Sequence, residues 1–136
     1  MSMIKLIVGK KGSGKTKILI DMINESAKST KGNIVCIEKG AKLTYDIDHS
    51  VRLADTQHYH IEGYDAFYGF VAGMLAGNYD ITEVYVDSIL KIGGVNYDEL
   101  GNLLARLDKL SGDNVKLVFT VSAEQGELPA SVKAYA

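Results

Sequence analysis

Gly9 to Thr16 reads Gly-Lys-Lys-Gly-Ser-Gly-Lys-Thr and fits the pattern G-x-x-x-x-G-K-[ST] at every fixed position. Gly9, Gly12 and Gly14 can take backbone angles closed to other residues, so successive N–H groups can turn inward around an anion. A helix starting near Gly14 would add the positive end of its macrodipole, Lys15 would bridge β- and γ-phosphates, and Thr16 would offer a hydroxyl to a divalent cation. With Ser13 inside the loop and Lys17 just past it, the stretch predicts a site for a nucleoside triphosphate with Mg²⁺. Two carboxylates stand where they could join such chemistry: Glu38 closes the apolar run Ile34 to Ile37, and Asp87 follows Val84-Tyr85-Val86. An aspartate at the end of a buried strand can hold the magnesium shell, usually through water.

The elements that must position these residues alternate in type. Ile4 to Val8 reads as a short buried strand entering the glycine loop, and Lys17 to Ser26 as a helix leaving it. Ile34 to Ile37 is continuous and apolar, as in a buried parallel strand whose C-terminal end faces the ligand edge of an open α/β sheet. Residues 40 to 49 predict irregular or briefly helical chain, and Val51 to Ala54 a short edge strand. Tyr64 to Ala76 places Phe67, Phe70, Val71, Met74 and Leu75 at helical spacing, with Gly77-Asn78 as a stop. Ile92-Gly93-Gly94 reads as a flexible turn, and Tyr97 to Leu110 as an amphipathic helix with Leu100, Leu103, Leu104, Leu107 and Leu110 inward. Val115 to Val121 is the last strong strand, followed by Ser122, and the tail to Tyr135 forms a last helical turn or frays. His58-Tyr59-His60 would put both histidines on one face if extended, but with no third ligand at a plausible spacing it reads as a polar surface segment rather than a zinc site.

Composition narrows the classes. The 136 residues make one domain, 1–136, and 46% hydrophobic with 24% charged residues is ordinary for a compact α/β protein. A net charge of −2 gives no footprint for nucleic acid or an anionic membrane. The single cysteine, Cys36, reads as a buried thiol; the N-terminus enters a strand directly, and no window reaches the roughly 18 apolar residues of a membrane span. A soluble, cytoplasmic protein is the expectation.

The order strand, glycine loop, helix, strand, helix, strand ending in aspartate, helix and strand resembles the core of the P-loop nucleoside triphosphatases, most closely a small, truncated RecA-like ATPase. Asp87-Ser88 is similar to the aspartate-serine ending of the RecA-like magnesium strand, Glu38 stands where those proteins carry the glutamate that activates water, and Tyr45 falls where they place a tyrosine against adenine. The resemblance implies a three-layer α/β sandwich with a mostly parallel central sheet and P-loop (RecA-like) topology. It also implies ATP and Mg²⁺ as ligands, with Lys15 and Glu38 catalytic, Thr16 and Asp87 on the metal, and Ser122 as a γ-phosphate sensor where the family usually has glutamine. No N-K-x-D motif occurs and no D-x-x-G follows directly on the aspartate strand, which disfavours a GTPase. With the later strands and DNA-binding loops of recombinases missing, strand exchange is not expected. The expected activity is slow Mg²⁺-dependent ATP hydrolysis, with a second subunit or protein partner supplying an activating arginine. The alternatives are a non-catalytic ATP-dependent switch and a small phosphotransferase, the latter short of lid arginines because only Arg52 and Arg106 exist.

Overall fold

The computed structural model describes residues 2–136. Five strands, β1 (Ile4–Gly9), β2 (Asn33–Glu38), β3 (Arg52–Asp55), β4 (Ile81–Val86) and β5 (Lys116–Ser122), form one sheet in the order β1-β5-β4-β2-β3, and every neighbouring pair is parallel. The helices are α1 (Lys15–Ala27), α2 (Tyr64–Gly77), α3 (Ile89–Gly93), α4 (Tyr97–Ser111) and α5 (Ala130–Lys133). A parallel sheet needs a crossover between successive strands and is covered on both faces, which is why its strands read as unbroken apolar runs rather than alternating ones.

Alternation along each strand divides the core in two. Val35 and Ile37, Val84 and Val86, and Leu117, Phe119 and Val121 point to the face covered by α2, α4 and α5. Ile34 and Cys36, Tyr85, and Val118 point to the other, where Leu19 and Ile23 of α1 meet Leu43, Ile47 and Val51 from the chain between β2 and β3. In α4, Leu100, Leu103, Leu104 and Leu107 are fully buried, so truncating any of them would cost about 2–5 kcal/mol. Leu110, at the margin of that stripe in the last turn, is instead 38% exposed.

Several sequence expectations need correction. Ile92-Gly93 is the end of a short helix, α3, and Gly94 stops it with φ 111 rather than forming a free turn. Gly93 has a packing reason, because a Cβ there would run into the Tyr64 ring. His58-Tyr59-His60 is not extended: it lies in a tight turn with His60 at φ 57 and His58 edge-on to Tyr59, so the two imidazoles do not share a strand face. Among the described residues no group of three or more metal-ligating side chains forms around them. The tail, by contrast, takes the helical turn expected of it: a 3-10 turn, Gln125–Glu127, leads into α5, held by Val132 in the core.

Gly69 and Gly73 occupy exposed positions in α2, with open space where a Cβ would stand. Glycine costs a helix interior about 0.5–1 kcal/mol relative to alanine. Gly69→Ala and Gly73→Ala should therefore each raise the urea midpoint by that amount of stability, whereas Gly101→Ala should lower it by driving a methyl into Ser131. A loss of stability in the α2 variants would refute this account of the helix.

Candidate functional site

All-parallel pairing brings the C-terminal ends of the strands to one edge, and the candidate residues collect there. The same alternation that builds the core aims them. Glu38 follows Cys36 by two residues, Asp87 follows Tyr85, and Thr120 and Ser122 follow Val118, so all four belong to the α1 side of the sheet. The Asp87 N–H bonds the Ile37 carbonyl at 2.9 Å and fixes that aspartate beside the end of β2.

The glycine loop joins β1 to α1. Gly12 and Gly14 take φ 82 and 88, the left-handed region that glycine enters without penalty, and Gly14 is the N-cap of α1. No side chain caps that helix and its first turn holds no acidic residue. In contrast, α4 starts conventionally, with the Asn96 side chain accepting the Asp98 and Glu99 N–H groups at 3.0 and 3.1 Å. The first N–H groups of α1 thus remain available to an anion at the positive end of the helix. Lys15 is 8% exposed, and its Nζ donates to the Lys10 carbonyl at 2.9 Å across the loop. Ser13 donates its N–H to the same carbonyl, while Lys17 points away to an exposed ion pair with Asp21. The loop is braced against the exit of β5: Gly9 pairs with Ser122, the Ala123 N–H bonds the Gly9 carbonyl, and exposed Lys10 meets Glu124 at 2.7 Å.

Thr16 and Asp87, 71 residues apart, come together at the mouth of this loop. The Thr16 hydroxyl lies 3.1 and 3.3 Å from the two Asp87 carboxylate oxygens. A hydroxyl and a carboxylate converging in this way are the hard oxygen donors that suit Mg²⁺, so the residues present fit that ion. Glu38 is 5% exposed, and both its oxygens are engaged, accepting the Lys42 N–H at 3.2 Å and the Leu43 N–H at 3.0 Å. Burial pushes its pKa above the usual glutamate range, with smaller contributions from Asp87 and Asp55, against the lowering effect of those two N–H bonds. Nearby Cys36 is raised to about 12, first by burial and then by Glu38 and Asp87, which makes it an inert thiol at neutral pH.

A cleft of about 310 Å³ connects Thr16, Asp87 and Glu38 with Lys39, Lys42 and Lys91. None of these three lysines makes a salt bridge among the described residues. Sequence reasoning did not single them out, because each reaches the cleft from an irregular or very short segment. It also missed Thr120, whose hydroxyl donates to Asp87 Oδ1 at 2.8 Å; the signal was a lone hydroxyl inside the apolar run of β5. The two arginines stay away from the cleft. Arg106 pairs with Asp65 at 3.0 Å and lies over the Tyr68 ring, and Arg52 borders a larger, mainly apolar groove of about 790 Å³ between α2 and the β2–β3 edge. That groove is the largest of the molecule's described recesses, but it holds none of the motif residues. Tyr45 is 98% exposed, in a segment whose Leu43 and Asp46 line the cleft and which is anchored where Asn24, well down α1, donates to the Asp46 carbonyl.

No protein-family model matches the chain, and no match is found among curated proteins. Fold and site together define an α/β protein with a five-stranded all-parallel sheet, covered by helices on both faces. No helix among the described residues is long and apolar enough to cross a membrane.

Proposed function

We propose that this chain is an ATP-binding P-loop protein of RecA-like type that hydrolyses ATP slowly with Mg²⁺. The observation that carries the reading is the convergence of Thr16 and Asp87 at the mouth of a glycine loop whose following helix is left uncapped. The strand order also supports it: β5 lies between the loop strand β1 and the aspartate strand β4, and brings Ser122 beside Gly9, as expected for a sensor next to the loop. The loop N–H groups and α1 hold the phosphates. Lys15 needs only to turn its Nζ from the Lys10 carbonyl to a phosphate oxygen, where it stabilises charge as the phosphoryl group is transferred. Thr16 and Asp87 would hold Mg²⁺, which supplies charge neutralisation on the phosphate oxygens. Glu38, buried at the wall of the same cleft, orients the attacking water and takes its proton. With Arg52 and Arg106 both remote, an activating arginine would come from a second subunit or another protein.

One observation favours a second reading, a switch that binds ATP without turnover. Both Glu38 oxygens already accept backbone N–H groups, so its carboxylate holds the 39–43 turn in place. ATP binding by calorimetry and phosphate release, each with and without Mg²⁺, decide between the two. Release marks the ATPase, tight binding without release marks the switch, and no binding refutes both.

A further inference from the structure

Thr120 is 1% exposed, and its hydroxyl makes two bonds at once. It donates to Asp87 Oδ1 at 2.8 Å and accepts the Ser88 N–H at 2.7 Å. A hydroxyl has a single proton to give, so the donation to Asp87 fixes its orientation and leaves a lone pair for the Ser88 amide. The same Oδ1 accepts from Thr16 at 3.1 Å. Ser88 sits at φ 58 and ψ 60, a left-handed conformation that a serine holds only where its surroundings over-determine it. From Ser88 the chain enters α3, which carries Lys91 to the cleft beside Lys39.

We propose that Thr120 is the positioning residue of this site: one hydroxyl aims the Asp87 carboxylate at Thr16 for a divalent cation and holds the strained Ser88 peptide from which Lys91 is delivered. The cation half of the proposal rests on the nucleotide reading above; the Ser88 half does not. Two features separate this role from simple core packing. Valine fills the same volume as threonine without the hydroxyl, so Thr120→Val deletes both bonds and leaves the apolar contacts of β5. Serine keeps the hydroxyl, so Thr120→Ser should restore whatever valine removes.

The test titrates ATP by calorimetry into the native chain, Thr120→Val and Thr120→Ser, in EDTA and in Mg²⁺, and follows exchange of the Ser88 amide without nucleotide. Carboxylates that ligate metals lose on the order of tenfold or more in affinity when the groups that orient them are removed. Thr120→Val should therefore lose about that much of the affinity gained on adding Mg²⁺, with affinity in EDTA unchanged, and Thr120→Ser should keep the gain. Exchange of the Ser88 amide should quicken on the order of tenfold in the valine variant, because that N–H has lost its partner. A valine variant with the native Mg²⁺ gain, or with native Ser88 exchange, overturns the proposal, as does equal weakening in EDTA and in Mg²⁺. If the native chain binds no ATP in either medium, the nucleotide reading and the cation half fall together, and the Ser88 exchange still decides the other half. Should Thr120→Val not fold, Thr120→Ala serves in its place, by the same criteria.

Discussion

Lys15→Ala is expected to weaken ATP binding by about 10- to 150-fold, the equivalent of about 1.5–3 kcal/mol for a hydrogen bond to a charged group. The estimate belongs to this lysine rather than to its neighbours because Lys15 is 8% exposed, whereas Lys10 and Lys17 are exposed and paired with Glu124 and Asp21. Exposed pairs of that kind contribute little, so Lys17→Ala should leave affinity nearly unchanged and acts as the control. Alanine is a good helix former at the start of α1, and the native bond that it removes is a single one to the Lys10 carbonyl. Circular dichroism should therefore show a folded variant. ATP affinity equal to that of the native chain would sink the nucleotide reading as a whole.

For Glu38→Gln the expected result is a fall in phosphate release of about 10²–10⁴-fold, the usual contribution of a general base, with ATP affinity nearly retained. Glutamine keeps one acceptor oxygen for the Lys42 or Leu43 N–H but cannot take a proton from water. Acidity gives a second signature. A base must be ionised, and burial raises the Glu38 pKa, so release in the native chain should decline with acid along a limb lying above the ordinary glutamate value. That limb should vanish in the variant. Stability moves in the opposite sense: a pKa raised in the folded state gives a contribution that is full below the unfolded value of 4.5 and is lost as pH rises through the folded one. Urea titrations at acid and neutral pH should show that loss in the native chain and its absence in Glu38→Gln. Undiminished phosphate release from the variant would leave Glu38 with only its role in holding the turn after β2.

Much of this architecture was legible because it depends on local patterns. Short, mainly apolar runs gave β1, β2, β4 and β5, most plainly the unbroken Ile34 to Ile37 of β2, since strands covered on both faces have little polar side to show. The 3.6-residue spacing of Leu100, Leu103, Leu104 and Leu107 gave α4, and the glycine loop carried its own signature. What escaped depends on partners distant in sequence. Ile92-Gly93-Gly94 looks like a turn by composition, yet packing of Gly93 against Tyr64 allows a short helix there. Thr120 is an unremarkable strand residue until parallel pairing puts β5 beside β4 and its hydroxyl beside Asp87. The engagement of Glu38 was equally hidden, because nothing in the spacing of Lys42 and Leu43 says that their N–H groups turn back towards it.

β1 carries the phosphate loop and is also an outermost strand, paired only with β5. An unpaired strand edge is a template for pairing with other chains. Here the Tyr135 carbonyl accepts the Leu6 N–H at 3.1 Å, and α5 is seated by Val132 in the core, so the last turn of the chain shields that edge. The loop is therefore guarded against aggregation by a segment that takes no part in its chemistry. Unwinding α5 would bare a sticky strand well before it disturbed any residue of the site.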